Sequence, residues 1–265
     1  MNSDSNKKDF LKNVLFTFIA FAIYKTMGTF VISHIKNSVV NVFVTEVTIL
    51  TCAVCLALIV KKIDTLKPAK KGFGTGLLVG LFLIVMDMIG LGDWINQYAK
   101  GQQAITISSG EFILFILAMI MVGIAEELMF RGVLLNSCLE FFGENSISSI
   151  KKSIIISGCI FGAFHVFNVL VGASLYGSVI QAISAAVLGI VFGAIYVRCG
   201  KNIWPCIVIH GVHDAISFMQ SGMLTGKGIK DAVSGYDARM LFTVVISLLV
   251  GLFLMRKKKM SQCVK

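Results

Sequence analysis

The chain has 265 residues, 56% of them hydrophobic and only 14% charged, with two prolines and a mean hydropathy of +0.85. Soluble domains carry roughly 25% charged residues, so this balance excludes an ordinary soluble domain and predicts an all-α integral membrane protein. The net charge of +10 would suit nucleic acid, but its distribution along the chain gives it another origin.

Eight apolar runs approach the roughly 20 residues that a membrane helix needs, at 10–32, 40–60, 73–91, 112–135, 153–172, 178–197, 203–219 and 240–255. The first exceeds the about 7–15 residues of a signal-peptide core and lacks a small-residue cleavage site, so it is expected to remain as a span. Lys25 within it has a stem long enough to snorkel to the interface. The second run carries Glu46 and Cys52-Ala-Val-Cys55; a lone Cys pair on an apolar helix reads as packing rather than as a metal or redox motif. The third carries Asp87; it and Glu46 lie within a turn or two of the predicted outer ends of their spans, where water or headgroups are close. Glycines four apart, as at Gly72, Gly76 and Gly80, at Gly158 and Gly162, and at Gly189 and Gly193, allow helix backbones to approach closely in lipid.

The fourth run holds Ala125-Glu126-Glu127-Leu128-Met129-Phe130-Arg131. A charge at the bilayer centre costs about 2.5–3.5 kcal/mol even on insertion scales, so intramembrane acids are functional-site candidates by default. Glu127 and Arg131 are four apart with the acid first, the favourable order for a helical ion pair. That pair reads as structural support, which leaves Glu126 free on a neighbouring face. The fifth run contains Phe161-Gly162-Ala163-Phe164-His165, and the seventh His210-Gly211-Val212-His213-Asp214. His210 and Asp214 share one helical face, whereas His213 points about 60° away on a 3.6-residue turn and is the weaker ligand candidate. Two polar connections, 92–110 and 221–239, are short enough to be re-entrant or capping loops. A single membrane domain is expected over 1–265, with its polar core in 110–220.

With an even number of spans both ends lie on one side of the membrane. That side would collect seventeen lysines and arginines, from Lys7 through Lys61, Lys70 and Arg198 to Lys265, against five opposite, at Lys36, Lys100, Lys227, Lys230 and Arg239. The positive-inside rule then places both termini in the cytoplasm of a bacterial plasma membrane, and the basic excess becomes topology and attraction to anionic lipids, with no nucleic-acid partner. At 1.5 Å per residue, Glu126 would lie roughly 20 Å from the outer end of its span, His165 roughly 18 Å and His210 roughly 10 Å from the inner ends of theirs. The three can therefore meet between the bilayer middle and its cytoplasmic half. A desolvated glutamate beside imidazole is suited to act as a general base on water.

Glu126-Glu127-x-x-x-Arg131, Phe161-x-x-x-His165 and His210-x-x-x-Asp214 together resemble the three motifs of the CAAX prenyl protease and bacteriocin-processing family of intramembrane endopeptidases, also called the Abi family. The resemblance covers roughly residues 110–220. It implies a bundle of about eight transmembrane helices enclosing a polar cavity open toward the cytoplasm. It also implies hydrolysis of peptides or membrane-associated proteins, with Glu126 and His165 activating water and His210 and Asp214 binding the developing oxyanion. The residues permit a metal-free glutamate mechanism and equally a metalloprotease one, in which Glu126, His165, His210 and Asp214 would hold zinc. Eukaryotic CAAX proteases typically end the third motif with asparagine. An ionised Asp214 cannot donate a hydrogen bond to an oxyanion, so it is protonated, orients His210 or ligates a cation. The His-Glu-x-x-His zinc helix and a rhomboid-like Gly-x-Ser-Gly are absent. The competing readings are a non-catalytic bacteriocin-immunity or scaffold protein and, less favoured for lack of an inverted repeat, a proton-coupled transporter.

Overall fold

The computed structural model describes residues 3–30, 34–69 and 71–264. Ile32, at the end of the first predicted span, and Lys70 and Lys265 of the basic count lie outside them. All regular structure among the described residues is helical, as lipid demands of backbones that must satisfy their own hydrogen bonds.

Helices α1 (Ser3–Phe30) and α2 (Ser38–Ile59) form the first antiparallel pair. The third predicted span is broken: α3 (Phe73–Val79) and α4 (Leu81–Ala99) meet at Gly80 with a bend of 66°. A side chain at Gly80 would stand 2.5 Å from Ile209, so the glycine admits the later helix α9 (Trp204–Gln220) against the break. Residues 92–99, expected in a connection, instead continue α4.

The fourth span is the axis of the molecule. It starts at α5 (Ser109–Glu127), where Ser108 and Glu111 close a capping box, passes through a π-helical stretch (Leu128–Leu135) and ends in α6 (Asn136–Phe142). Its first half shows lipid-compatible side chains such as Ile113 and Ile120 to the outside; every residue of the π-helical stretch is buried. Helices α7 (Ile147–His165) and α8 (Leu175–Arg198) pack tightly through Gly158, Gly162 and Gly189. Helix α9 packs on α5, and a side chain at Gly123 would lie 2.7 Å from the Ile207 carbonyl oxygen. The connection 221–239 folds over one end of the bundle and includes α10 (Ile229–Ser234). Thr106 N–H donates to the Leu224 carbonyl oxygen (2.9 Å), tying this cap to the preceding α4–α5 connection. Helices α11 (Met240–Leu254) and α12 (Lys257–Met260) follow.

Five helices are long and apolar enough to span a membrane, or seven when each bent pair counts as one. The remaining predicted span, 203–219, is α9. At 17 residues it is roughly 25 Å long, short of a hydrocarbon core of about 30 Å. It packs against α4 and α5 and keeps an exposed apolar face at Val208 and Val212.

Candidate active site

Helices α5, α7 and α9 bring the three sequence motifs together. The helical spacing sets the first contact: Arg131 Nη1 lies 2.9 Å from Glu127 Oε1, and both side chains are sealed from solvent. The guanidinium is held between the rings of Phe161 and Phe192, 4.9 and 5.1 Å from their centroids, and its Nη2 reaches the Gly189 carbonyl oxygen at 3.4 Å. The expected ion pair is present.

Glu127 does more than neutralise Arg131. Its Oε1 also lies 2.7 Å from His210 Nδ1, a contact across 83 residues of sequence. Against an ionised carboxylate, which only accepts, the proton sits on Nδ1 and the imidazole donates. Phe192 stacks on the same ring at 5.1 Å. His210 is thereby fixed with Nε2 turned toward Glu126 Oε2 at 3.5 Å and Asp214 Oδ2 at 3.7 Å. The two glutamates differ in access: the Glu127 side chain is 0% exposed, Glu126 16% and Asp214 23%.

His165 Nδ1 lies 3.0 Å from the Phe161 carbonyl oxygen. A carbonyl only accepts, so the proton belongs on Nδ1 and Nε2 keeps its lone pair. His165 makes no ion pair with Glu126 among the described residues; the two share a cavity rather than a contact. That cavity, about 800 Å³, is lined by Glu126, His165, His210 and Asp214 together with Lys25 and Glu46.

Three residues that the sequence placed near water are elsewhere. Lys25 does not snorkel. It is buried, donates to Asn168 Oδ1 at 2.6 Å and faces the cavity. Glu46 is buried in the same wall, its Oε2 without a partner. Asp87 is buried beside His213, with Oδ1 2.7 Å from Nδ1, so His213 is engaged away from the main cluster. Tyr236, in the capping connection, also lines the cavity; desolvation, and after it the Asp214 carboxylate, push its phenol up to about 12. No motif marks these residues. Only an intramembrane charge at Lys25, Glu46 and Asp87 could have drawn attention to them.

The cavity extends from the cluster to the end of the bundle capped by 221–239, where Ser217, Lys227 and Tyr236 line it. Ser3 and the 255–264 segment are at the other end, because the helices alternate in direction. With both termini in the cytoplasm this end of the cavity would lie toward the outer face, whereas the resemblance implies an opening toward the cytoplasm. The helical depths allowed the cluster to be placed, but the mouth depends on where helices separate.

Glu126, His165, His210 and Asp214 are donors of the kind that hold a zinc ion. No group of three or more His, Cys, Asp or Glu side chains among the described residues is arranged to hold one. His210 gives Nδ1 to Glu127, the carboxylate support common to metal-bound imidazoles, so its Nε2, with Glu126 and Asp214 beside it, would be the part of the site to hold such an ion.

Residues 108–216 match the type II CAAX prenyl endopeptidase Rce1-like family. Over that segment the chain is similar to the CAAX protease family. The match runs from the N-cap of α5 into α9 and contains all three motifs, so the resemblance read from the residues holds over the part of the chain that carries them. The Rce1-like segment supplies Glu126, His165, His210 and Asp214, while α1 and α2, outside it, supply Lys25 and Glu46. Comparisons with curated proteins and with solved structures return no match. The family supports an endopeptidase acting on a peptide or protein, in a chain whose apolar helices make it an integral membrane protein.

Proposed function

We propose that the chain is an intramembrane endopeptidase in which Glu126 is the general base. The observation that carries this reading is the difference between the two adjacent glutamates: Glu127 is sealed against Arg131 and His210, while Glu126 opens on a cavity shared with His165, His210 and Asp214. Glu126 takes a proton from water as the water oxygen adds to the scissile carbonyl. His165 Nε2, left with its lone pair, accepts a second hydrogen bond from that water and orients it. His210, fixed through Nδ1 by Glu127, presents Nε2 between Glu126 and Asp214 and relays the proton to the departing amine as the carbon–nitrogen bond breaks. Asp214 orients His210. Removing a general base typically costs 10²–10⁴-fold. Glu126→Gln should therefore abolish processing in comparative peptidomics of membranes without lowering abundance; full processing by that variant would overturn the reading and favour an immunity or scaffold role.

Both termini are assigned to the cytoplasm by the lysine and arginine distribution, and the cavity then opens on the outer face. Substrates would be peptides or membrane-associated proteins reached from that side. Lys227→Cys, at the mouth and exposed, should react with a membrane-impermeant maleimide in intact cells, and Lys258→Cys only after permeabilisation, each compared with the parent chain. The reverse pattern would place the mouth in the cytoplasm.

A further inference from the structure

Lys25 is the unusual cation of this molecule. It is 7% exposed, lies on α1 outside the Rce1-like segment, and its ammonium has three protons to donate. One goes to Asn168 Oδ1 at 2.6 Å. Asn168 is itself oriented from behind, because its Nδ2 donates to Gln181 Oε1 at 2.7 Å, which leaves the amide oxygen committed to Lys25. The rings of Phe21 and Tyr24 lie 5.3 and 5.0 Å from Nζ. No carboxylate is within ion-pair distance of Lys25 among the described residues, although Glu46 and Glu126 line the same cavity. A buried charge with a single neutral hydrogen-bond partner is costly. Arg131, also buried, shows how this protein otherwise treats a buried cation: with a carboxylate at 2.9 Å and a carbonyl oxygen behind it.

Lys25 also stands between two spaces. It lines the 800 Å³ cavity and a neighbouring one of about 270 Å³, and Tyr24 and Asn168 line both. The ammonium is thus offered to whatever occupies the catalytic cavity and held in place by Asn168 and Gln181.

We propose that Lys25, positioned by Asn168 and Gln181, is an anion-receiving subsite that anchors a carboxylate of the bound peptide while Glu126 addresses the peptide bond. The inference rests on the peptidase reading for the identity of the ligand. A lipid phosphate is the less suitable occupant, because the ammonium is enclosed within the cavity that also contains the glutamate–histidine cluster instead of facing the lipid-exposed surface.

The test measures binding and needs no turnover. Purified full-length Glu126→Gln protein in phosphatidylcholine nanodiscs is offered a mixture of N-acetylated apolar hexapeptides in three forms: free C-terminal acid, C-terminal amide, and C-terminal amide with one glutamate side chain. Retained peptides are identified by mass spectrometry. A charge-assisted hydrogen bond contributes about 1.5–3 kcal/mol, so at least one carboxylate form should be retained roughly tenfold over the plain amide. Which form is enriched tells a terminal carboxylate from a side-chain one. The preference should vanish in Lys25→Met and persist in Lys25→Arg, with melting temperatures showing that both variants are folded. Equal retention of all forms, or a preference that survives Lys25→Met, overturns the proposal. So does Lys25-dependent co-purification of anionic lipid that excludes the peptides, which would assign the cation to a headgroup. Because binding is read in a variant without the general base, absence of hydrolysis by the wild type would count against the peptidase reading without touching this result.

Discussion

The two walls of the cavity treat buried charge in different ways. On the wall made by α5, α7 and α9, Glu127, Arg131 and His210 answer one another at 2.7–2.9 Å, between aromatic rings. On the wall made by α1 and α2, Lys25 reaches one neutral amide and Glu46 makes no ion pair among the described residues, whereas Glu127, which also keeps one buried oxygen without a partner, is held through the other. The first arrangement fixes geometry, since each group has one low-energy position. The second leaves charge uncommitted, which is the condition for binding something from outside. The boundary between them coincides with the Rce1-like match: the fixed wall lies inside residues 108–216, and α1 and α2 lie outside.

That contrast can be broken by substitution. The largest effect is expected from Glu126→Gln, the only accessible member of its glutamate pair: a loss of at least about 100-fold in peptide hydrolysis, with an unchanged melting temperature in detergent. Arg131→Met should instead act on the fold, destabilising by about 3–5 kcal/mol because the buried Glu127 loses its cation and keeps only His210; unfolding monitored by circular dichroism would measure it, and an unchanged transition would mean that the fixed wall is not fixed by this pair. Gly162→Ala comes next. Its new methyl would stand 2.4 Å from the Ala182 carbonyl oxygen, forcing α7 and α8 apart at about 1–3 kcal/mol. The smallest effect, of opposite sign, belongs to the second wall: Glu46→Met removes an unpartnered buried oxygen and should raise stability, by at most about 1–3 kcal/mol. A destabilised Glu46→Met protein would show that this wall, too, is structurally committed.

Much of the site was legible because it was written in helical spacing. Glu127 with Arg131, and His210 with Asp214, are four apart, and that interval alone puts each pair on one face. Other features were hidden for a reason that is equally physical. Nothing local distinguishes Glu127 as a partner of His210, 83 residues away, and the same spacing argument had made Glu127 purely structural. The π-helical stretch at Leu128–Leu135 leaves no mark in an apolar sequence. Asp87 looked like a residue near the interface and His213, 126 residues away, like a weak ligand candidate, until α4 and α9 were packed side by side.

The sequence by itself determined that this is a helical membrane protein, which segment carries the CAAX protease motifs, and which residues share a helix face, because composition and a 3.6-residue period are local properties. Only the tertiary structure decided which imidazole nitrogen meets which carboxylate, that Lys25 and Glu46 turn inward, and that the cavity reaches the end of the bundle opposite Ser3. Those outcomes depend on where neighbouring helices touch and where they part. The period of a single helix fixes a side chain's direction and depth, but it contains no information about the gap that the side chain will face.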